Sequence, residues 1–421
     1  MPFYYLWPDK AVPMKILYNL GIQLFNILMK ITAPVNTKAS QWVKGRKDWA
    51  TRLKEKINSG NKNIWIHCAS LGEFEQGRPF IEMIRKLKPE YKILLTFFSP
   101  SGFEIRKDYG LADYVCYLPV DTPQNASRFI SLVNPSLAIF VKYEFWNNYI
   151  LTLSEKQIPL YLISGIFRPG QHFFKWYGTF FRKVLSRINY FFVQDKRSKE
   201  LLQGIGITDV SIAGDTRFDR VVEIAREAKE IPVIKQFRGE EKLFLAGSSW
   251  PKDEEIISRY INSSPGKMKW VFAPHEIDSG NIDRLEKLLS TSVVRFSKFT
   301  EQHSDARVLI IDNIGILASA YRYASLAEIG GGFGAGIHNV LEASCWGVPV
   351  MFGPRYGAFK EAVDLVTLGG ARCFRSYSDF TLIMDDWLSE GNSRNISAEM
   401  AQKYVRENTG ATAKIFVKIF S

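Results

Sequence analysis

Short, continuously apolar runs that alternate with helical patterns constrain the fold of this chain more than any other feature. Between Asn63 and Gly214 these runs are rich in β-branched and aromatic residues. Strands that are apolar throughout, rather than at every second residue, are typical of parallel sheets covered by helices on both faces. We therefore predict an α/β domain with strands at Ile64–Ala69, Ile93–Phe98, Tyr114–Val120, Leu137–Val141, Leu160–Ile163, Tyr190–Val193 and Val210–Ala213.

The same alternation resumes after a polar, charged segment at 223–241 that includes Pro232. A chain of 421 residues is too long for one ordinary core, so two domains are expected. Strands of the second domain are predicted at Leu243–Ala246, Trp270–Ala273, Val293–Phe296, Val308–Ile311, Leu326–Ile329 and Pro349–Phe352. The predicted divisions are an N-terminal segment 1–50, a Rossmann-like domain 51–222, a linker 223–241, a second Rossmann-like domain 242–400 and a C-terminal helix 401–421. Two such domains facing a central cleft form the GT-B architecture of glycosyltransferases, with a nucleotide expected on the second domain.

The charge balance favours an anionic partner. Lys and Arg outnumber Asp and Glu by 55 to 43, which gives a net charge of +12. Nucleic acid is the weakest candidate beside an acidic membrane or a phosphorylated substrate, because no nucleic-acid-binding signature is present. The four cysteines lie far apart without metal-ligand spacing, so we interpret them as core residues and expect no disulfide framework. They are Cys68, Cys116, Cys345 and Cys373.

The segment from Met14 to Thr32 is helical in pattern and strongly apolar apart from one polar stripe. The stripe consists of Lys15, Asn19, Gln23, Asn26 and Lys30. Five aligned polar residues argue against a simple transmembrane span and favour a helix in the membrane interface, and the alternative is a terminal helix packed on its own domain. Aromatic and basic residues suited to lipid headgroups follow at Trp42, Lys44, Arg46, Lys47 and Trp49. We expect no signal peptide, and we interpret Met1–Pro13 as an extension without structural consequence.

A glycine-rich stretch lies between Ser325 and Pro354. Gly330, Gly331 and Gly332 follow an apolar run, and a helical pattern begins near His338. Glycines and a helix N-terminus together predict an anion-binding loop, and Glu342 on the same helix face could accept hydrogen bonds from ribose hydroxyls. The stretch matches neither a dinucleotide fingerprint nor a Walker loop. The alternative is that the glycines only make a tight strand-to-helix turn.

Six motifs, taken together, resemble one enzyme family. They are His67-Cys68-Ala69-Ser70-Leu71-Gly72-Glu73, Lys142-Tyr143-Glu144-Phe145-Trp146-Asn147-Asn148, Gly214-Asp215-Thr216-Arg217-Phe218-Asp219, Gly247-Ser248-Ser249-Trp250-Pro251, Ala273-Pro274-His275-Glu276, and Gly330–Phe333 with His338–Glu342. Their order is similar to that in the 3-deoxy-D-manno-octulosonic acid (Kdo) transferases of lipopolysaccharide synthesis. The resemblance implies transfer of Kdo from CMP-Kdo to a lipid A precursor, with inversion at the anomeric carbon. One, two or more Kdo residues are added within this family, and the motifs fix neither that number nor an oligomeric state.

The resemblance implies that Glu73 is the general base. A carboxylate at the mouth of a strand-to-helix turn suits that role, because a sugar hydroxyl must lose its proton as it attacks. The alternative is a first-turn glutamate that only favours the helix dipole. Glu144 is expected to support catalysis, although alone it could be a surface carboxylate paired with Lys142. Gly72 would leave room for a substrate.

The resemblance also implies a donor site on the second domain. Backbone N–H groups near Gly331, Gly332 and His338 would meet the negative charge of departing CMP, with hydroxyls of Ser248 and Ser249 as further donors. The residues expected to bind substrates are Ser70, Gly72, Lys142, Arg168, Arg217, Ser248, Ser249, Pro274, His275, Gly331, Gly332, His338, Asn339 and Glu342. Many relatives carry an arginine just before the histidine that aligns with His275, and Arg168 or Arg217 is expected to replace it.

No metal or other cofactor is expected, because no Asp-x-Asp motif is evident. The membrane partner is expected to be the anionic inner leaflet, on its cytoplasmic side, contacted by Arg46, Lys47, Arg52 and Lys54; these could equally form a solvated face. Two alternatives stay open at this point. They are a GT-B enzyme that uses another nucleotide sugar and a membrane-bound nucleotide-binding protein without catalytic activity.

Overall fold

The computed structural model describes residues 11–264, 266 and 268–421, and the predicted extension Met1–Pro13 lies outside them as far as residue 10. The chain forms two compact units. The first contains the residues up to Arg220 together with Gly410–Ser421, and the second is Val221–Thr409.

The first unit is built on a seven-stranded parallel sheet, as predicted. Its strand order is β3-β2-β1-β4-β5-β6-β7. Each predicted run contains one strand: β1 Asn63–Cys68, β2 Lys92–Phe97, β3 Tyr114–Tyr117, β4 Pro135–Val141, β5 Leu160–Gly165, β6 Tyr190–Val193 and β7 Val210–Ile212. Every residue of β1 is buried, because helices cover both faces of this central strand.

Helices of the first unit enclose the sheet between two apolar cores. They are α1 Ala11–Thr32, α2 Thr37–Gly45, α3 Trp49–Lys56, α4 Leu71–Leu87, α5 Pro100–Arg106, α6 Pro123–Val133, α7 Asn147–Glu155, α8 Thr179–Leu185, α9 Lys196–Gln203 and α10 Thr216–Glu227, with the last helix of the chain, α19, at Ala411–Phe420. The residues of α10 from Val221 onward belong to the second unit. Trp65 of β1 packs in one core with Phe129 and Phe140. Ile64 and Ile66 point into the opposite core, which Ile415 of α19 completes.

The second unit carries another seven-stranded parallel sheet, in the order β10-β11-β9-β8-β12-β13-β14. Its strands are β8 Lys242–Ser249, β9 Met268–Pro274, β10 Val293–Arg295, β11 Val308–Ile310, β12 Leu326–Ile329, β13 Val350–Phe352 and β14 Ala371–Cys373. Its helices are α11 Pro232–Arg238, α12 Pro251–Ser263, α13 Ser279–Lys287, α14 Leu317–Ala320, α15 Leu341–Ser344, α16 Lys360–Leu368, α17 Tyr377–Leu388 and α18 Ser393–Glu407. The six predicted runs again contain strands. The short edge strand β14 has no apolar run to reveal it.

Two predicted segments have a different structure. The segment 223–241 holds the end of α10 and all of α11, which begins at Pro232, a residue well suited to the first turn of a helix. The segment 401–421 is two helices rather than one, because Gly410 has a φ of 98° between them. The carboxylate of Asp219 accepts hydrogen bonds from the amides of Gly410 and Thr412, which fastens the start of α19 to the first unit.

Helix α1 packs on its own unit by one face. Tyr18 donates to Asp121 at 2.6 Å, Asn19 accepts from Asn148 at 2.9 Å, and the ring of Phe25 lies against Trp42. The predicted polar stripe is therefore divided, since Asn19 and Asn26 are half-buried while its other members are exposed. Large apolar side chains occupy the outward face: Ile16, Leu17, Leu20, Leu24, Ile27, Leu28 and Ile31.

Within the described residues, no single helix has the length and apolar character needed to cross a membrane. Met14–Thr32 and Thr37–Gly45, bent by 119°, meet those requirements only as a pair, by length and composition.

Candidate active site

The first cluster of predicted site residues lies where β1 leads into α4. Ser70 adopts extended backbone before the helix, and its amide and hydroxyl both donate to Oε2 of Glu73, at 2.8 and 3.0 Å. Glu73 thus satisfies an N-terminal amide that the helix leaves open, which is a structural role. Both bonds use the same oxygen. Oε1 of Glu73 accepts none from the described residues, so one oxygen is left for a substrate proton.

The environment of Glu73 suits a base. Burial raises the pKa of its carboxyl, and the negative charge of Glu144 raises it further, while the bonds from Ser70 and the proximity of His67 oppose the rise. A carboxylate with a raised pKa holds a transferred proton more readily. A Cβ added to Gly72 would meet no atom within 4 Å, so there is open space beside the glutamate.

Glu144 is buried, with 8% of its surface exposed. Its Oε2 accepts a hydrogen bond from Nε1 of Trp146 at 2.6 Å and lies 3.1 Å from Nε2 of His67. The alternative of a surface carboxylate is therefore wrong, because Glu144 is buried and lies against Trp146 and His67. Lys142 has a left-handed backbone with φ 70°, and its ammonium lies 5.5 Å from the ring centre of Tyr143.

The two arginines named as replacements differ in their surroundings. Nε and a terminal nitrogen of Arg217 donate to Oδ2 of Asp215 at 2.9 and 2.7 Å, so a carboxylate in the same turn already balances this charge. Arg168 is exposed, and its positive charge lowers the pKa of Tyr143, which burial raises. Arg168 is thus the arginine that faces the loop carrying Glu144.

In the second unit, close backbone packing requires glycine at two positions of the glycine-rich loop, Gly330 and Gly332. A Cβ on Gly330 would lie 2.2 Å from the carbonyl oxygen of Ser248, and one on Gly332 would lie 2.6 Å from Gly353. Gly331 has a φ of 93° and donates its amide to Oδ2 of Asp253 at 3.0 Å. The predicted phosphate contact from the Gly331 amide is therefore wrong, because a buried carboxylate holds that group. No described residue accepts a hydrogen bond from the Gly332 amide.

The helix predicted from His338 starts later and is short. Residues 338–340 are not helical, and α15 has only four residues, Leu341–Ser344. Asn339 explains the late start, since its Oδ1 accepts from the amide of Leu341 and its Nδ2 donates to Oε1 of Glu342 at 3.0 Å. An asparagine side chain competes with the helix in this way and favours a cap. The predicted helix N-terminus at His338 is thus wrong, and the Asn339 side chain accepts from the first amide of α15.

Three rings stack beside this loop. The ring of His275 lies 4.6 Å from that of Trp250 and 4.6 Å from that of His338. Nε1 of Trp250 donates to Nε2 of His338 at 3.0 Å. Because an indole only donates, Nε2 of His338 accepts, and the proton of the neutral ring sits on Nδ1. Burial, with the charge of His275, lowers the pKa of His338 to about 4, so the ring is a neutral donor at pH 7.

The serines and the proline of the second unit have separate surroundings. Ser249 is buried and donates to Oε1 of Glu254 at 2.9 Å, so the expected donation from its hydroxyl to a ligand is wrong. Ser248 is half-buried with a left-handed φ of 51°. Pro274 ends β9 and is half-buried, and the amide of His275 beyond it donates to the carbonyl of Ser249.

Comparison with known proteins agrees with these motifs. Residues 47–220 match the family model described as 3-deoxy-D-manno-octulosonic-acid transferase. A protein of that name from Aquifex aeolicus is 29% identical, over 76% of this chain and 83% of the relative. Another from Haemophilus influenzae is 24% identical, over 84% of this chain and 86% of the relative. The chain is thus similar to Kdo transferases over most of its length.

Solved structures of two other proteins share the fold of this chain. UDP-GlcNAc 2-epimerase from Neisseria meningitidis has a TM-score of 0.60 at 16% identity, covering 85% of this chain and 98% of the neighbour. MurG from Acinetobacter baumannii has a TM-score of 0.53 at 10% identity, covering 84% and 98%. At such identities the likeness concerns the fold alone, and with the two parallel-sheet units it supports the GT-B class.

Two residues of the family motifs were missed as site residues. His67 lies inside an apolar run, where a histidine looks like any core residue, and only its contact with Glu144 marks it. Trp250 lies between the end of β8 and the start of α12 at Pro251, and its 37% exposure beside two histidines marks it. A large aromatic residue at a strand end within a motif was the available signal.

Proposed function

We propose that this protein transfers Kdo from CMP-Kdo to a lipid A precursor with inversion at the anomeric carbon. The observation that carries the proposal is the setting of the Glu73 carboxyl. Its pKa is raised, its Oε1 accepts no hydrogen bond from the described residues, and open space lies beside it at Gly72. The similarity to Kdo transferases supplies the donor and the acceptor of this proposal. The expected metal-free chemistry is part of the proposal.

Glu73 acts as the base in this proposal. An acceptor hydroxyl oxygen attacks the anomeric carbon of Kdo, the bond from that carbon to the phosphate oxygen breaks, and CMP leaves with the electron pair. The hydroxyl proton passes to Oε1 of Glu73. A base of this kind contributes roughly 10²- to 10⁴-fold in rate.

The donor belongs to the second unit in this proposal. The neutral ring of His338 offers Nδ1–H, and the Gly332 amide offers a second donor, to the phosphate of departing CMP. Fixed donors of this kind stabilise developing negative charge. Glu342 is proposed to accept from the ribose, and the stack of Trp250 and His275 supports the ring of His338.

We further propose that the first unit sits on the anionic cytoplasmic surface of the inner membrane. Leu17, Leu20 and Leu24 on α1 are each more than half exposed, which is an unusual outward face for a helix in water. Beside α1 lies a groove whose lining includes Lys30, Lys44 and Lys47. Lysines beside an apolar helix suit the boundary between acyl chains and phosphates.

Two of the four predicted headgroup residues have other roles. Arg46 is buried and donates to the carbonyls of Leu118 and Phe98, each at 2.8 Å. Arg52 donates to carbonyls of Gly45 and Lys47. Lys47 and Lys54 stay exposed and keep the proposed role. A Leu20→Glu/Leu24→Glu variant should lose co-sedimentation with anionic vesicles, and unchanged sedimentation would remove α1 from the membrane surface.

The function is tested by transfer of labelled Kdo, supplied as CMP-Kdo made in situ, to a tetraacyl lipid A precursor. The wild type should shift the lipid by whole Kdo units. Glu73→Gln keeps an oxygen for the bonds from Ser70 but removes the base, so it should fold normally and lose at least about 100-fold in kcat. Glu75→Gln, two residues along the same helix, is the matched control.

Three outcomes contradict parts of the proposal. Full activity of Glu73→Gln removes the base assignment, and equal losses in Glu75→Gln would assign the effect to α4 rather than to the base. A wild type that leaves the lipid unchanged but binds a UDP- or GDP-sugar in competition with CMP-Kdo would refute the function and keep the fold.

A further inference from the structure

The groove beside α1 is lined by cations. It lies between α1, α2 and the chain that follows β3, and it has a volume of about 370 Å³. Its charged lining residues are Lys30, Lys44, Arg46 and Lys47, and among the described residues no carboxylate lines it. A concave site of this size can hold a small polar group, and its charge favours an anion.

The guanidinium of Arg46 forms the floor of this groove. Only 8% of Arg46 is exposed, and its three nitrogens donate to the carbonyls of Leu118, Trp42 and Phe98 at 2.8, 3.1 and 2.8 Å. These carbonyls satisfy three of its five N–H groups but do not neutralise its charge. Burial lowers the pKa of Arg46 to about 9, and no carboxylate is among the groups that oppose this change. A buried cation is costly unless an anion pairs with it.

The indole of Trp42 provides an independent indication of a ligand. Trp42 lines the groove and is 2% exposed, and its Nε1 is buried without an acceptor among the described residues. Its ring centre lies 3.9 Å from the guanidinium carbon of Arg46. Buried N–H groups nearly always have an acceptor. An unpaired cation and an unpaired N–H therefore lie side by side, and both call for an anion with acceptor oxygens.

The turn that carries Arg46 and Lys47 is held in place. Arg52 donates to the carbonyls of Gly45 and Lys47. A Cβ on Gly45 would lie 2.2 Å from the ring of Tyr117, so the turn packs closely on β3. Donors that are already fixed lose little conformational freedom when a ligand binds.

We propose that this groove binds the phosphate monoester of a membrane lipid headgroup, with the Arg46 guanidinium at its floor and the three lysines at its rim. The lysines are exposed, whereas Arg46 is buried. A phosphate monoester carries up to about two negative charges and three free oxygens, so it can meet several cations at once. This inference rests on the proposed membrane surface and names the ligand bound there.

A lipid is the source of the phosphate because of where the groove lies on α1. Lys30 belongs to α1, and the nearby Ile27 and Ile31 are 50% and 67% exposed. A headgroup phosphate bound at Lys30 would leave its acyl chains beside this outward apolar face. A soluble phosphate would gain nothing from the same face.

The first experiment compares co-sedimentation of the full chain with two kinds of phosphatidylcholine vesicle. One kind contains phosphatidic acid, a phosphate monoester, and the other contains oleate, with both matched in zeta potential. The wild type should bind the phosphatidic acid vesicles about 10-fold more tightly, because charge-assisted hydrogen bonds add to the attraction of charge. The variant Lys30→Gln/Lys44→Gln/Lys47→Gln should bind both kinds equally.

A matched control separates the groove from net charge. Lys62→Gln/Lys86→Gln/Lys414→Gln removes the same charge from exposed lysines of the first unit that do not line the groove. It should keep the preference for phosphatidic acid. Circular dichroism checks that both triple variants are folded.

A second measurement locates the ligand without a change at Arg46. Indole N–H signals are followed by NMR while dihexanoyl phosphatidic acid is added below its micelle concentration. The signals of Trp42 and Trp49, which line the groove, should shift. The signal of Trp346, whose indole donates to the Ala318 carbonyl in the second unit, should stay in place. Inorganic phosphate, titrated in the same way, should need a much higher concentration to shift the groove signals.

Each outcome supports or overturns a defined part of the inference. Equal binding of both vesicle kinds by the wild type overturns the phosphate site and keeps the proposed membrane surface, whereas no sedimentation with either kind refutes both. Unmoved Trp42 and Trp49 signals, or a preference that persists without the three lysines, overturn the groove as the site. Inorganic phosphate that binds as tightly as the lipid overturns the lipid source. None of these measurements depends on Kdo transfer, so failure of the transfer reaction is distinguished from failure of this site.

Discussion

The glutamate motif of the first unit and the glycine loop of the second use their residues differently. Gly72 adjoins open space, and Glu73 keeps one oxygen clear of described partners. Gly330 and Gly332 of the loop are instead packed against backbone, and the Gly331 amide is bonded to Asp253. A glycine-rich loop can therefore be largely architecture, whereas a single glycine beside an acid can mark space for a substrate.

Buried carboxyls in the two units show the same contrast. Oε2 of Glu144 accepts a hydrogen bond from Nε1 of Trp146 at 2.6 Å and lies 3.1 Å from Nε2 of His67. Glu328 on β12 is fully buried, and neither of its oxygens has a partner among the described residues. Burial, with the charges of Asp253 and Glu254, raises the pKa of Glu328 well above its usual range. Glu328 is thus a buried acid without polar partners among the described residues, whereas Glu144 has them.

The largest expected effect is a loss of stability on replacing a packed glycine, and it tests the contrast between Gly330 and Gly72. Gly330→Ala places its Cβ 2.2 Å from the Ser248 carbonyl, so strands β8 and β12 must move apart. Because backbone cannot rotate away as a side chain does, we expect a loss of about 3 kcal/mol or more in unfolding free energy. Gly72→Ala should lose no stability and gain up to about 1 kcal/mol, since alanine favours helix.

Urea unfolding followed by tryptophan fluorescence measures both variants. Equal stability of Gly330→Ala and the wild type would mean that the loop is loosely packed and free to reshape around a ligand. Transfer activity of Gly72→Ala then reports on the open space. A drop in activity at unchanged stability is expected if an acceptor occupies that space.

The fold was largely predictable because buried parallel strands leave continuous apolar runs in the sequence. Every predicted run overlaps a strand. Among the strands of the described residues, only β14, with Arg372 at its centre, was not predicted. Strand order and the return of α19 to the first unit depend on contacts between distant residues, such as Asp219 with Gly410, and no local pattern carries them.

The candidate site was less predictable for a related reason. Glu73 and His338 could be named from their motifs, but the partners of each side chain could not. Ser249 donates to Glu254, and Asn339 donates to Glu342, because both side chains find hydrogen-bonding groups nearby in the folded chain. His67 and Trp250 differ from ordinary core and surface residues only through the atoms they contact.

The next largest expected effect is the change in unfolding free energy when Glu328 is replaced by glutamine. The pKa of Glu328 in the folded protein is raised above the unfolded value of about 4.3. Its contribution to the free energy of unfolding is therefore fully present below that pH, and this stability is lost as pH rises toward the folded-state pKa. Glu328→Gln removes this loss. The variant should be more stable than the wild type by about 1 to 4 kcal/mol at pH 7, and the gain should shrink toward pH 4.

Urea unfolding at several pH values tests this expectation. Glu286→Gln is the control of opposite sign, because the bond from Arg295 lowers the pKa of Glu286, and its removal should cost a little stability at pH 7. A Glu328→Gln variant that is less stable than the wild type at pH 7 would show that the Glu328 carboxyl makes stabilising contacts, and the contrast with Glu144 would fail.

The smallest expected effect is a change in the pKa of His338 in the stack of Trp250, His275 and His338. Trp250→Phe keeps an aromatic ring on His275 but removes the N–H that donates to Nε2 of His338. That bond favours the neutral imidazole, so its loss should raise the pKa of His338 from about 4, by an amount equivalent to about 1 kcal/mol. Proton–carbon NMR titration of the His338 ring measures the change. Trp346→Phe removes a matched indole bond to the Ala318 carbonyl elsewhere in the second unit and should leave the His338 titration unchanged. An unchanged titration in Trp250→Phe would mean that burial and His275 alone keep the ring neutral, so the second unit would tune its histidine without the kind of donor that the first unit supplies to Glu144.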